Sequence, residues 1–278
     1  MSSPDSGEVR PVRKRTRAAF LLPSAFTIGN IFLGFFAVIL ALRGRFLWAA
    51  GCILIAGVVD NLDGRIARLT GTESDFGREF DSLADVITFG ATPALVAHLW
   101  GLSIWSRLGW LIPLYFVVCC ATRLARFNVQ TVRADKRFFV GLPCPAAAGG
   151  IACILLVMPN VEGRRWLLVA MAVALGLLGS LMVSTFRYWS FKSLDFRRPH
   201  SYRVALPLAA MVVLLAFYPE AFLPVMAGVY AASGPVLWLA NRAGFGRPGP
   251  PQPPIIPRHT PSQVPSHVPE NPPAGGAA

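Results

Sequence analysis

Long apolar runs, separated by short polar segments, fill most of this 278-residue chain. A hydrocarbon core about 30 Å thick takes about 20 apolar residues of helix to cross. Eight stretches approach that length: 21–42, 46–66, 82–104, 109–127, 141–158, 165–186, 204–218 and 221–240. Polar residues interrupt the second and third. The seventh is short and meets the eighth through a turn at Pro219 and Glu220. The pattern predicts an all-α, polytopic membrane bundle of about eight transmembrane helices. After about residue 243 the chain turns to Pro, Gly, Ser and Ala, which cannot bury a core, so a disordered tail is expected there. No internal repeat of the kind found in inverted-repeat transporters is visible.

Composition supports the membrane reading. Mean hydropathy is +0.52 and charged residues make up 14%, against about 25% in soluble domains. The net charge of +12 would suggest nucleic acid in a soluble chain. No basic run is interleaved with aromatics as such sites require, so no nucleic-acid partner is expected. The basic residues instead follow the positive-inside rule. All but Arg43, Arg45, Arg107, Arg164 and Arg165 of the 26 Lys and Arg residues lie on one side if the spans alternate. That side holds both termini and the 60–85 segment, so both are expected to be cytoplasmic. Arg10, Arg13, Lys14, Arg15 and Arg17 precede an apolar run with no small-residue cleavage site, which predicts a retained first helix and not a signal peptide. The five cysteines form no CxxC pair and lie in apolar stretches, so they read as small buried hydrophobes, with no disulfide framework and no zinc site.

The chemistry concentrates in one place. Seven of the fourteen acidic residues fall between 60 and 85. Asp60 and Asp63 are expected to end one helix, three apart, and Asp81 and Asp85 to begin the next, four apart; either spacing puts a pair on one helical face. If the two helices run antiparallel, all four carboxylates converge. Unpaired, they would repel one another and resist desolvation, so a cation is required among them. An all-oxygen ligand set favours a hard divalent ion, Mg²⁺ or Mn²⁺, and two such ions would suit phosphoryl chemistry. The competing reading is a solvated acidic loop paired with Arg65, Arg68 and Arg78; the two same-face pairs flanked by apolar helix argue against it. Gly64, Ala67 and Gly77 clear space for a bulky ligand, and Arg68 suits a phosphate.

The spacing Asp60-x2-Asp63-Gly64-x2-Ala67-Arg68-x8-Gly77-x3-Asp81-x3-Asp85 resembles the signature of the CDP-alcohol phosphatidyltransferase family at all eight fixed positions. The resemblance implies an all-helical fold with a six-helix membrane core, and transfer of a phosphatidyl or related group from a CDP-linked donor to an alcohol with two divalent metals. It also implies Asp60, Asp63 and Asp81 as metal ligands, and Asp85 as general base close to, and counted with, the metal set. Gly64, Arg68, Ser74 and Gly77, with Ala67 between them, match CDP-lipid-binding positions. Thr27 and Asn30 of the first span, with Ser24, are candidates to line the nucleotide site or to bond between helices.

Further stretches, LPSAFTIGNIFLGF, DSLADVITFGATPA, RLARFNV, FVGLPCPAAAG and MVSTFRYWSFK, are similar to bacterial and archaeal-type phosphatidylserine synthases over roughly residues 20–195. Ser24 stands where Asn is usual and Thr88 where Ser is usual; both keep a hydrogen-bonding side chain. The resemblance therefore implies CDP-diacylglycerol as donor, L-serine as acceptor and a homodimer in the cell membrane. Serine's hydroxyl needs a carboxylate base, and its own carboxylate needs a cationic partner. Arg123, Arg126 and Asn128, with Arg187 and Lys192, are the candidates, against a reading as positive-inside anchors. The resulting division is a basic segment 1–20, a transmembrane catalytic domain 21–242 and a Pro-rich tail 243–278. The alternatives are the same family with another acceptor, such as glycerol 3-phosphate or an inositol phosphate, and a secondary transporter. The transporter would more typically hold its carboxylates near the bilayer midplane on broken helices.

Overall fold

Backbone groups in a bilayer must be satisfied within their own segment, which leaves helices as the way for these apolar runs to fold. The computed structural model describes residues 17–70, 75–130, 138–161, 164–189 and 217–242. The helices are α1 (Arg17–Leu42), α2 (Phe46–Thr70), α3 (Asp75–Asp85), α4 (Thr92–Trp100), α5 (Leu108–Gln130), α6 (Cys144–Val157), α7 (Arg165–Val183) and α8 (Pro219–Arg242). A π-helical segment, Val86–Ala91, joins α3 to α4 without a break. Among the described residues, five helices are long and apolar enough to cross a membrane: Ala25–Leu42, Phe76–Trp100, Leu108–Val129, Arg165–Val183 and Ala221–Ala240. Phe46–Leu62 and Cys144–Val157 are shorter apolar helices. The expected seventh span, 204–218, falls almost wholly outside the described residues, as do segment 1–16 and the 243–278 tail.

Two expectations need correction. Helix α2 does not end at Asp60 and Asp63 but runs on to Thr70, because Leu62, Arg65, Ala67, Arg68 and Leu69 are good helix formers and Gly64 alone is too little to stop them. Asp81 and Asp85 do not begin a helix; they lie in the second half of α3, and Asp85 ends it. The fold is the expected all-α bundle, with one short ribbon added to it. Phe138–Val140 (β1) pairs antiparallel with Arg187–Trp189 (β2), setting Phe139 opposite Tyr188. These aromatic and β-branched residues suit a short ribbon, and Gly141, at φ +83°, turns the chain out of it towards α6.

Small residues line the close contacts between α1, α2 and α6, while many large apolar residues face outward. Ala37 and Ala41 of α1, Ala49, Ala50 and Ala56 of α2, and Ala147, Ala148 and Ala152 of α6 are buried, which lets the helix axes approach closely. Phe32, Phe35, Trp48, Trp110 and Trp166 are exposed, an outward apolar face that only lipid would tolerate. Helix α1 packs along α2, α2 on α6, and α5 on α7, while α1, α5 and α6 all meet the π segment. Gly34 makes the first of those contacts possible: a Cβ there would lie 2.9 Å from Thr92 Oγ1 and 3.2 Å from Thr88 Cα. The thiol-rich α5 and the N-terminal half of α6 thus line the same interior as the acidic helices.

Candidate active site

Asp60 projects from α2, and Asp81 and Asp85 project from α3. Their carboxylate oxygens lie within 4.8 Å of one another, each part-buried. Two full charges 4.8 Å apart repel by about 3.5 kcal/mol at an effective dielectric of about 20. The cluster therefore asks for a cation, and three converging oxygens offer a hard divalent ion its preferred donors.

The elements around the cluster hold it in place. The Thr88 hydroxyl donates to Asn30 O of α1 at 3.2 Å, so the threonine keeps the bonding role expected of a serine there. The Thr92 hydroxyl and its backbone N–H both bond to Ile87 O, the five-residue reach that defines the π turn. On the other flank, Asn128 of α5 donates to Ser82 Oγ at 3.1 Å and to Glu79 Oε2 at 3.2 Å. Ser82 sits between Asp81 and Asp85, so α5 grips the turn that carries both.

The remaining candidates divide. Thr27 and Asn30 are buried in α1, which packs against α3, and Asn30 Oδ1 has no partner among the described residues. Gly77 lies one turn before Asp81 in α3. Arg123 is 8% exposed; its Nη1 donates to Cys144 Sγ at 3.4 Å, and its Nε has no partner among the described residues. Arg126, a turn later, donates to Val183 O at 2.9 Å and Ser184 O at 3.1 Å, which caps the C-terminus of α7. Asn128 is engaged with α3, as above. The side chains of Asp63, Gly64, Ala67, Arg68 and Arg187, and the whole of Ser74 and Lys192, lie outside the described part of the structure.

The sequence profile of the CDP-alcohol phosphatidyltransferase family matches residues 20–178. The chain belongs to that family. It is similar to a Helicobacter pylori (strain ATCC 700392 / 26695) protein named CDP-diacylglycerol–serine O-phosphatidyltransferase, at 38% identity over 223 residues, 79% of this chain and 92% of the relative. A Bacillus subtilis (strain 168) protein of the same name is 31% identical over 171 residues, 62% of this chain and 91% of the relative. One from Mycobacterium tuberculosis (strain ATCC 25618 / H37Rv) is 41% identical over 153 residues, 52% of each chain. As a CDP-alcohol phosphatidyltransferase, the protein is a membrane-embedded transferase of a divalent-metal-dependent family, and the carboxylate cluster has the donor set such an ion takes.

Sequence reasoning missed Ser82, Thr92 and Gly34. Their roles depend on partners in other helices or on the π turn, and nothing in their immediate neighbours marks them. It also missed the meeting of Cys120 with Cys144, which are 24 residues apart and belong to no short motif.

Proposed function

We propose that the protein transfers the phosphatidyl group of CDP-diacylglycerol to the hydroxyl of L-serine, giving phosphatidylserine and CMP. The convergence of Asp60, Asp81 and Asp85 within 4.8 Å carries the reading. The serine acceptor is supported by relatives of that name along most of the chain, among them the Helicobacter pylori protein aligned over 223 residues.

In this reading Asp60, Asp63, Asp81 and Asp85 hold the metal, Mg²⁺ or Mn²⁺, as two ions. A divalent ion bound there supplies charge neutralisation and polarisation at the donor diphosphate. Asp85 takes the proton from the serine hydroxyl as that oxygen attacks the lipid-side phosphorus and CMP departs. Gly64, Ala67, Arg68, Ser74 and Gly77 receive the CDP-lipid, with Thr27 and Asn30 at the nucleotide; Asn30 Oδ1, buried with no partner among the described residues, suits an amino group. Arg123 is the acceptor-side cation best supported by the geometry, because its Nε is buried and unbonded among the described residues, whereas Arg126 already caps α7. Arg187 and Lys192 remain the further candidates.

Residues 21–242 form the catalytic membrane domain of a homodimer, with the carboxylates and both termini on the cytoplasmic side. There soluble serine meets a donor anchored in the bilayer. The test is CMP release by purified protein supplied with Mn²⁺ or Mg²⁺, CDP-diacylglycerol and one acceptor at a time. Release with L-serine is expected; release with glycerol 3-phosphate and not with serine would overturn the acceptor assignment.

A further inference from the structure

Two thiols meet beside the carboxylates, and the transfer chemistry has no use for them. Cys120 of α5 and Cys144 of α6 are both fully buried, with their Sγ atoms 3.0 Å apart. Arg123, three residues beyond Cys120 on α5, donates to Cys144 Sγ at 3.4 Å. Cys144 lies within electrostatic reach of Asp60, and Cys120 within reach of Asp85. Gly90 abuts Cys120 so closely that a Cβ on the glycine would lie 3.3 Å from both the Cβ and the Sγ of the cysteine. The dithiol thus touches the π segment that follows Asp85 and holds the guanidinium of Arg123.

We propose that Cys120 and Cys144 close into a reversible disulfide that switches transfer off. A disulfide is about 2.05 Å long, so sulfurs 3.0 Å apart need to approach by only about 1 Å. The thiolate is the form that reacts. With diamide, a small uncharged diazene, the Cys144 sulfur adds to one nitrogen of the N=N bond. The Cys120 sulfur then attacks the Cys144 sulfur, the S–N bond breaks and the S–S bond forms. The thiols give up two electrons and two protons, and the diazene leaves as the hydrazine. Both sulfurs are fully buried, so a neutral oxidant reaches them through local opening of the helices.

Closure changes the contact between Cys120 and Gly90 and replaces the thiol to which Arg123 donates with a disulfide sulfur. Both the support behind Asp85 and the anchor of Arg123 are then altered. The effect on transfer rests on the function proposed above; formation of the bridge does not.

The experiment treats full-length protein in lipid nanodiscs with diamide, then counts thiols after denaturation, maps the bridge by mass spectrometry and measures CMP release. Of the five thiols, two are expected to disappear into a Cys120–Cys144 bridge. CMP release should fall about tenfold and return with dithiothreitol. Cys144→Ser and Cys120→Ala should each resist diamide relative to their own untreated rate, while Cys119→Ala should respond as the native protein does. Five thiols surviving treatment, a bridge mapped to another pair, or a bridge that leaves CMP release unchanged would each overturn the proposal. So would equal inhibition of the native protein and both variants. A reduced protein that releases no CMP sinks the transferase reading and the switch together, while the map still decides whether the bridge forms.

Discussion

The carboxamide of Asn128 donates to the hydroxyl of Ser82 across 3.1 Å, so a residue of α5 fixes the turn of α3 between Asp81 and Asp85. That bond is a support for the site, made from a helix that carries none of the carboxylates. Asn128→Ala removes the bonds to both Ser82 and Glu79 and should cost about 1–2 kcal/mol of stability, at about 0.5–1.5 kcal/mol for each hydrogen bond. Its effect on rate should be larger, roughly ten- to a hundredfold, because small displacements of reacting groups are costly. A thermal melt and CMP release measured on the same preparation separate the two. A rate loss no larger than the stability loss accounts for would remove Asn128 from the positioning role.

Asp85→Asn keeps the shape of the side chain and removes its capacity to take a proton. We expect CMP release to fall by about 10² to 10⁴, with Mn²⁺ binding, followed by electron paramagnetic resonance, weakened far less than turnover because the amide oxygen can still ligate. Asp60→Asn should behave in the opposite sense, weakening Mn²⁺ binding first. Near-native turnover in Asp85→Asn would show that another group takes the proton.

Removing divalent metal should abolish turnover and also loosen the fold, since Asp60, Asp81 and Asp85 would be left to repel one another within 4.8 Å. Restoring Mn²⁺ at about a hundred times its dissociation constant should stabilise the protein by about 2.7 kcal/mol. The measurement is a melt with and without chelator. An unchanged melting temperature would mean that the cluster needs no ion.

Close packing of α1 against the π segment makes Gly34 intolerant of side chains. Gly34→Val should destabilise by about 1–3 kcal/mol, as overpacking does, and should lower activity by pushing Thr88 and Thr92 away from their partners. Gly29→Ala, on the same helix with nothing within 4 Å of the added carbon, is the control. Equal melting temperatures for the two variants would contradict the packing described here.

Much of this was legible in the chain because the determining signals are local. Apolar runs of membrane length mark α1, α5, α7 and α8, and the spacing of Asp60, Asp81 and Asp85 anticipates their meeting. The ends of the acidic helices were not legible. Aspartate and glycine after an apolar run look like a terminus, yet α2 continues through a stretch rich in Leu, Ala and Arg to Thr70. The division of labour between Arg123 and Arg126 was equally hidden. They lie three residues apart on one helix, but one meets a thiol of α6 and the other the last carbonyls of α7, and only the tertiary neighbours tell them apart. The meeting of Cys120 with Cys144 and the grip of Asn128 on Ser82 are long-range contacts of the same kind.

The π turn has a consequence for how the family's chains can lengthen or shorten. It holds one residue more than an α-helical turn over the same path, and one residue is about 100° of helical rotation. A single deletion between Asp85 and Thr92 would let the segment relax to α-helix. Asp81 and Asp85 would then swing about a quarter-turn away from Asp60, with every side chain of the site still encoded. Residue count in this short stretch is therefore as strict a requirement as the aspartates themselves, and one that a comparison of residue types alone would overlook.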